Sequence, residues 1–286
     1  YGTKYSEEKA SPGYYSLRLD KYGISAEATA TERSSVERYT FPKGRGNILL
    51  NLGEGLTNES GAMVRRVSET EIEGVKLLGT FGYTAQAVFP VYFVLRVSRT
   101  PSEAGYWKKQ PPKYGVEAEW DKDQGKYKIY RNYGREIAGD DVGYWFSFDN
   151  LDEGEQIEVR VGISYVSTEN ARLNLDSEQG KLSFDEIRQY ALERWNSSLG
   201  RIRVTGGTEQ QRKVFYTALY HTLIHPNILN DINGEYPLME GCGKVGRTSG
   251  TRYTVFSLWD TYRNFHQLMT LVYPEKQRDM LRSMVG

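Results

Sequence analysis

"SFDEIRQYALERWNSSL", Ser183 to Leu199, is where the chain changes character. It opens with Ser183-x-x-Glu186, a capping box, in which hydroxyl and carboxylate each satisfy a free N–H at a helix start. Phe184, Ile187, Ala191 and Trp195 then recur on one helical face. The stretches before it carry period two, and the fold follows from that switch.

Upstream, "YYSLRLD" (14–20), "GISAEATATERSSVERYTF" (23–41), "NILLNLG" (47–53) and "AMVRRVSETEIEGVKLLGTF" (62–81) alternate apolar and polar residues. So do "YFVLRVSR" (92–99), "KYKIYR" (126–131), "GYWFSF" (143–148) and "QIEVRVGISYVS" (156–167). Short alternating runs separated by turn residues predict an antiparallel β-sandwich. "DKDQGK" (121–126) reads as a hairpin turn. Its Asp-x-Asp spacing is a weak calcium-loop signal without the later ligand positions.

Downstream, "TEQQRKVFYTALYHTLIH" (208–225) opens with a second box, Thr208-x-x-Gln211. Val214 to Leu223 is apolar nearly all round, which predicts a buried inner helix, and Pro226 ends it. Asn233-Gly234 marks a turn. A helix over about 257–272 follows, then another starting near Pro274. Strands followed by helices mean an α+β arrangement or separate domains. The expected division is a sandwich over 1–180, a linker helix over 181–205 and a helical unit over 206–286.

Composition narrows the function. A chain of 286 residues can bury one large core or two ordinary ones. Net charge zero gives no basic face for nucleic acid. No apolar run reaches the roughly 18 residues of a membrane span, and "YGTKYSEEKASPGYY" lacks the pattern of a signal peptide. With Cys242 as the only cysteine, an intrachain disulfide is excluded and a cysteine-based structural zinc site is strongly disfavoured. The 22 tyrosines suit half-buried strands, and equally a sugar-binding surface.

"TVFSLWDTYRNFH" (254–266) admits two readings. In one, Ser257-x-x-Asp260 is a third capping box, Asp260 and Arg263 pair along the helix, and Val255, Leu258, Tyr262, Phe265 and Leu268 form a core stripe. In the other, a flat indole at Trp259 beside the Asp260 carboxylate fits a sugar, with C–H groups on its face and hydroxyls at its edge. His221 and His225 lie four apart, but the zincin glutamate and a third ligand are missing; one packed histidine and one near the helix end is the expectation. "MEGCGKVGRTSG" (239–250) lacks a Walker ending and reads as a shaped loop.

"VGISYVSTENARLNLDSE" (161–178), "VFYTALYHTLIHPNILNDINGEYPL" (214–238) and "RYTVFSLWDTYRNFHQLMTLVYPE" (252–275) closely resemble glycoside hydrolase family 92, the calcium-dependent exo-acting α-mannosidases. The resemblance implies a mainly β plus α fold, an antiparallel β-sandwich followed by helices that begin an (α/α)6 barrel. It implies release of terminal mannose from α-mannosides with inversion, α-1,2 linkages favoured, as in N-glycan degradation. It assigns Trp259 as a wall of the mannose pocket, Asp260 as acceptor for distal hydroxyls, and Arg263 beside them. It places the general acid, the general base and the calcium ligands in later barrel segments with no counterpart in this chain. The chain is then expected to be an internal portion of a longer enzyme, inactive alone, with the remainder of the barrel as partner and an extracytoplasmic home. The alternatives are a non-catalytic carbohydrate-binding sandwich, with tyrosines and Trp107 or Trp145 as an exposed platform, and a purely structural support domain.

Overall fold

The computed structural model describes residues 2–55, 59–79, 88–109, 127–131, 134–238, 243–254 and 256–285. Its strands are β1 (Tyr5–Ser11), β2 (Tyr14–Leu19), β3 (Ile24–Ala30), β4 (Ser34–Phe41), β5 (Gly44–Asn51), β6 (Glu59–Arg66), β7 (Glu71–Gly79), β8 (Val88–Val97), β9 (Glu103–Lys109), β10 (Tyr127–Arg131), β11 (Glu136–Gly139), β12 (Val142–Leu151) and β13 (Glu155–Ser164). They build a 9-stranded sheet, ordered β1-β2-β3-β4-β13-β8-β7-β6-β11, and a 4-stranded sheet, ordered β10-β9-β12-β5. The pairs are antiparallel, as in β13 against both β4 and β8. The mainly β architecture followed by helices agrees with the sequence pattern.

Period two places the core. On β12, Tyr144, Phe146 and Phe148 enter one cluster with Ile157 and Val159 of β13 and Phe93, Leu95 and Val97 of β8, so the two sheets close face to face. The Tyr106 and Tyr144 rings meet edge-on at 5.0 Å. Val94, between Phe93 and Leu95, points to the opposite face and packs against Ala171 and Leu175.

That opposite face carries two helices, α1 (Thr168–Glu178) and α2 (Phe184–Leu199). A Cβ at Gly162 would lie 2.4 Å from the Ala171 carbonyl oxygen and 2.7 Å from Leu175 Cβ, so only glycine lets α1 seat on β13. Arg172 of α1 ties it down by reaching Glu71 at 2.7 Å and Glu73 at 2.6 Å on β7. Phe184 and Ile187 of α2 bury against Val36, each contributing about 1.5–3 kcal/mol. The Ser183–Glu186 capping box is complete.

The rest comprises α3 (Glu209–His221), β14 (Asn227–Ile228), β15 (Glu235–Pro237), β16 (Val245–Arg247), β17 (Tyr253–Thr254), α4 (Leu258–Thr261), α5 (Phe265–Val272) and α6 (Pro274–Val285). Leu219, Tyr253, Met269, Tyr273 and Met280 form its core.

Several expectations change. The last sandwich strand ends at Ser164, and α1 follows within the span read as sandwich. Its periodic apolar signal is missing because its buried face mixes Asn170 and Asn174 with Ala171 and Leu175. Helix α3 is not an inner helix among the described residues: it buries Leu219, while Val214 is 59% exposed. The expected helix over 257–272 breaks between α4 and α5. The break resets the helical phase, so Leu258 and Tyr262 are exposed while Phe265 and Leu268 join the core. His221 and His225 are both exposed. The turn at 121–126, Cys242 and Val255 lie outside the described residues.

Candidate functional site

Helix α4 presents the Trp-Asp pair outward. Trp259 is 73% exposed, and the Arg263 guanidinium stacks on its ring at 5.2 Å. Arg263 therefore pairs with the indole; an Asp260–Arg263 ion pair is not formed. Asp260 Oδ2 accepts from the Ser257 hydroxyl at 2.5 Å. Ser257 makes no side-chain bond to a helical N–H and its hydroxyl goes to the Asp260 carboxylate instead, so the third capping box does not form. Among the described residues the other Asp260 carboxylate oxygen has no partner. The three residues thus share one exposed turn, with an indole face and an acceptor oxygen available to a polar ligand.

The turn is pinned by a residue that sequence reading passed over. His266 Nε2 lies 2.9 Å from the Thr261 hydroxyl, and its Nδ1 lies 3.1 Å from Gln277 Oε1. With the Gln277 oxygen accepting, Nδ1 carries the proton and Nε2 takes the Thr261 hydroxyl. Thr261 and Gln277 are both buried. One ring thereby links α4, α5 and α6 immediately behind Trp259 and Asp260. Its partner Gln277 lies eleven residues on, a spacing with no motif to announce it.

A second cluster joins the helices to the sandwich. Asp231, 2% exposed, accepts from Ser164 Oγ at 2.7 Å, Asn170 Nδ2 at 2.8 Å and Asn174 Nδ2 at 2.7 Å. Arg33, in the β3–β4 turn, donates to the Asn230 carbonyl at 2.6 Å and pairs with Glu178 at 2.9 Å. The turn at Asn233-Gly234 is closed by Asp231 N–H to the Glu235 carbonyl, 2.8 Å, with Gly234 at φ +85°. The stretches carrying the family resemblance on both sides, 161–178 and 227–238, are the ones that meet in this polar junction.

No group of three His, Cys, Asp or Glu is gathered as a metal centre among the described residues. Asp231 is already engaged by three donors, and Glu235 accepts from Asn170 at 3.0 Å and faces Arg247 at 3.5 Å. These carboxylates do not fit a calcium centre. On the small sheet Trp107 is only 6% exposed and Trp145 is half-buried, so they make no open platform for a sugar. Among the described residues no helix is long and apolar enough to cross a membrane.

Residues 1–164 match the glycosyl hydrolase family 92 N-terminal domain, and residues 170–286 match the glycosyl hydrolase family 92 catalytic domain. Comparison with curated proteins gave no match. Among solved structures, the chain is similar to the family GH92 alpha-mannosidase BT3965 from Bacteroides thetaiotaomicron. The TM-score is 0.84 and the identity 31%, over 99% of this chain and 36% of that one. The same relative in complex with mannoimidazole aligns with TM-score 0.84 and 31% identity, over 99% and 35%. The family GH92 inverting mannosidase BT2199 from Bacteroides thetaiotaomicron VPI-5482 aligns with TM-score 0.81 and 26% identity, over 98% and 35%. The chain therefore spans little more than a third of these relatives' length. Matched from its first strand to its last helix by the two domains of one family, the chain belongs to glycosyl hydrolase family 92.

Proposed function

We propose that this chain is the sandwich, linker and opening helices of an α-mannosidase that removes terminal mannose from α-mannosides with inversion, α-1,2 linkages favoured. The observation that carries the reading is the α4 turn. A sequence segment shared with mannosidases exposes Trp259, Asp260 and Arg263, although their apolar neighbours could have driven them inward. In this proposal the indole forms a wall of the pocket for the terminal mannose, Asp260 accepts from its distal hydroxyls, and Arg263 steadies the indole. Residues 1–180 then form the sandwich domain, 181–205 the linker and 206–286 the first part of an (α/α)6 barrel.

Inversion needs two carboxyl groups roughly 6.5–9.5 Å apart with a water between them. Both are assigned to barrel segments beyond these residues, as are the calcium ligands of the intact enzyme. The exposed apolar residues of α5 and α6, Leu271 and Val285 among them, support a neighbouring barrel segment as the partner. The intact enzyme is proposed to work outside the cytoplasm.

The test is hydrolysis of α-1,2-, α-1,3- and α-1,6-mannobiose by the intact protein, with the released anomer followed by NMR, before and after treatment with a calcium chelator. Initial release of β-mannose, fastest from the α-1,2 disaccharide and lost on chelation, is expected. Release of α-mannose would exclude inversion.

A further inference from the structure

Where α2, α3 and the start of α6 approach the sandwich lies a cleft of about 500 Å³. Trp195 and Tyr220 form one wall, their ring centroids 4.7 Å apart and tilted by 51°. The hydroxyls of Tyr220 and Tyr253, which also line the cleft, have no hydrogen-bond partner among the described residues. Burial pushes the Tyr253 phenol up to about 12, so it stays a donor at working pH.

Lys276 completes the lining. It is half-buried, and among the described residues its ammonium makes neither a hydrogen bond nor an ion pair. The two nearby carboxylates are already taken. Glu275 is held by Arg201 at 2.5 Å, and Glu32 by Arg194 at 2.9 Å and by the Tyr190 hydroxyl at 3.2 Å. Burial, with the Arg194 guanidinium adding to it, holds Lys276 below the ordinary lysine value. A half-buried cation whose neighbouring carboxylates are engaged by other partners is stabilised by a bound anion. Aromatic rings and free hydroxyl donors beside it suit a sugar ring better than a bare ion.

We propose that this cleft binds a saccharide unit bearing an acidic group, phosphate or carboxylate, with the acid on Lys276 and the ring against Trp195 and Tyr220. The site requires nothing of the mannose pocket proposed above, since Trp259, Asp260 and Arg263 do not line the cleft.

Gluco-configured probes keep the two separate. Glucose 6-phosphate, glucuronate, glucose and inorganic phosphate are titrated into the intact protein by calorimetry. Binding of at least one acidic sugar is expected, tighter than glucose and tighter than inorganic phosphate. Lys276→Met should weaken it at least tenfold, Lys276→Arg should retain it, and Trp195→Leu should weaken the acidic sugars while leaving inorganic phosphate unchanged. Thermal melts establish that each variant is folded. Preference for glucuronate or for glucose 6-phosphate identifies the acid. Three results overturn the proposal: no acidic sugar binds, inorganic phosphate binds as tightly as the sugars, or folded Lys276→Met binds like the parent. Mannobiose hydrolysis, measured in parallel, reports on the mannose site and not on this cleft.

Discussion

Asn174 donates its side-chain amide to Asp231 at 2.7 Å, joining the helix laid on the large sheet to the loop that follows α3. The same asparagine accepts from the Ile232 N–H at 2.9 Å and donates to the Ile163 carbonyl at 2.8 Å. One fully buried side chain therefore fixes β13, α1 and the 230–238 loop together. Rigid polar networks of this kind specify a unique arrangement because each partner, left alone, is an unsatisfied buried group. The 230–238 loop is tied to the sandwich here.

Removing the acceptor should loosen the whole junction. Asp231→Ala strands one hydroxyl and two amides, at about 1–3 kcal/mol for each group left unsatisfied. A total loss of about 3 kcal/mol or more is expected in the urea unfolding free energy, with a broadened or split transition as the two halves uncouple. A single transition within about 0.5 kcal/mol of the parent, in the range of ordinary surface substitutions, would show that the network carries no such weight.

The helix caps give a sharper contrast. Ser183 Oγ accepts from the Glu186 N–H at 3.3 Å and the Glu186 carboxylate accepts from the Ser183 N–H at 2.8 Å. Ser257, in the same sequence pattern, donates to Asp260 instead. Ser183→Ala should cost about 1 kcal/mol in chemical denaturation, and Ser257→Ala a few tenths at most. Equal losses would mean that α4 is capped in solution after all.

These contrasts mark what could be read from the residues. The alternation of Tyr144, Phe146 and Phe148 gave the sandwich directly, and Ser183-x-x-Glu186 gave α2, because both signals are local. Helix α1 was hidden because its buried face is half amide. Asp231 was invisible as a centre because its donors lie 57, 61 and 67 residues away. The open cap of α4 is not legible because the box motif states which residues are present and not which way a hydroxyl points. Trp259 and Asp260 entered through family resemblance; their exposure is a property of the fold.

Acid should release α2 from the sandwich. Arg38 donates to Glu27 at 2.8 Å and to Asp185 at the start of α2 at 3.1 Å. The Arg38 hydrogen bond holds the Glu27 carboxyl below its ordinary value of 4.5. A carboxyl with a lowered folded-state pKa contributes stability above its unfolded value, and that contribution disappears as pH falls through the folded value. The melting temperature of Glu27→Gln should lie below the parent's at pH 7, and the gap should narrow progressively below about pH 4.5. A gap that is constant from pH 7 to pH 3 would assign the effect to packing.

The apolar face left on α5 and α6 predicts a difference between this chain and the intact protein. Leu271 is 82% exposed and Val285 is 87% exposed. If further barrel segments cover them, Leu271→Asp should lower the intact protein's stability by about 1.5–3 kcal/mol, the value of one buried leucine, and leave the chain over 1–286 unchanged within a few tenths. Equal tolerance in both would show that the face stays open to solvent.

The decisive substitution is Asp260→Asn in the intact protein. It keeps the shape of the turn and an oxygen that accepts from Ser257, and it removes only the charge. A carboxylate accepting from a sugar hydroxyl contributes about 1.5–3 kcal/mol, so kcat/KM for an α-mannoside should fall about ten- to hundredfold with the melting temperature unchanged. Trp259→Ala should raise KM as the pocket wall is lost. Because the indole is exposed and touches Arg263 rather than the core, its removal should cost little in folding. The purified chain over 1–286 should bind at most weakly and hydrolyse nothing, since the acid and base are assigned elsewhere. A melting temperature that drops while kcat/KM holds would reduce Asp260 to a structural partner of Ser257. Turnover by the purified chain at enzyme-like rates would place the acid and base within these 286 residues.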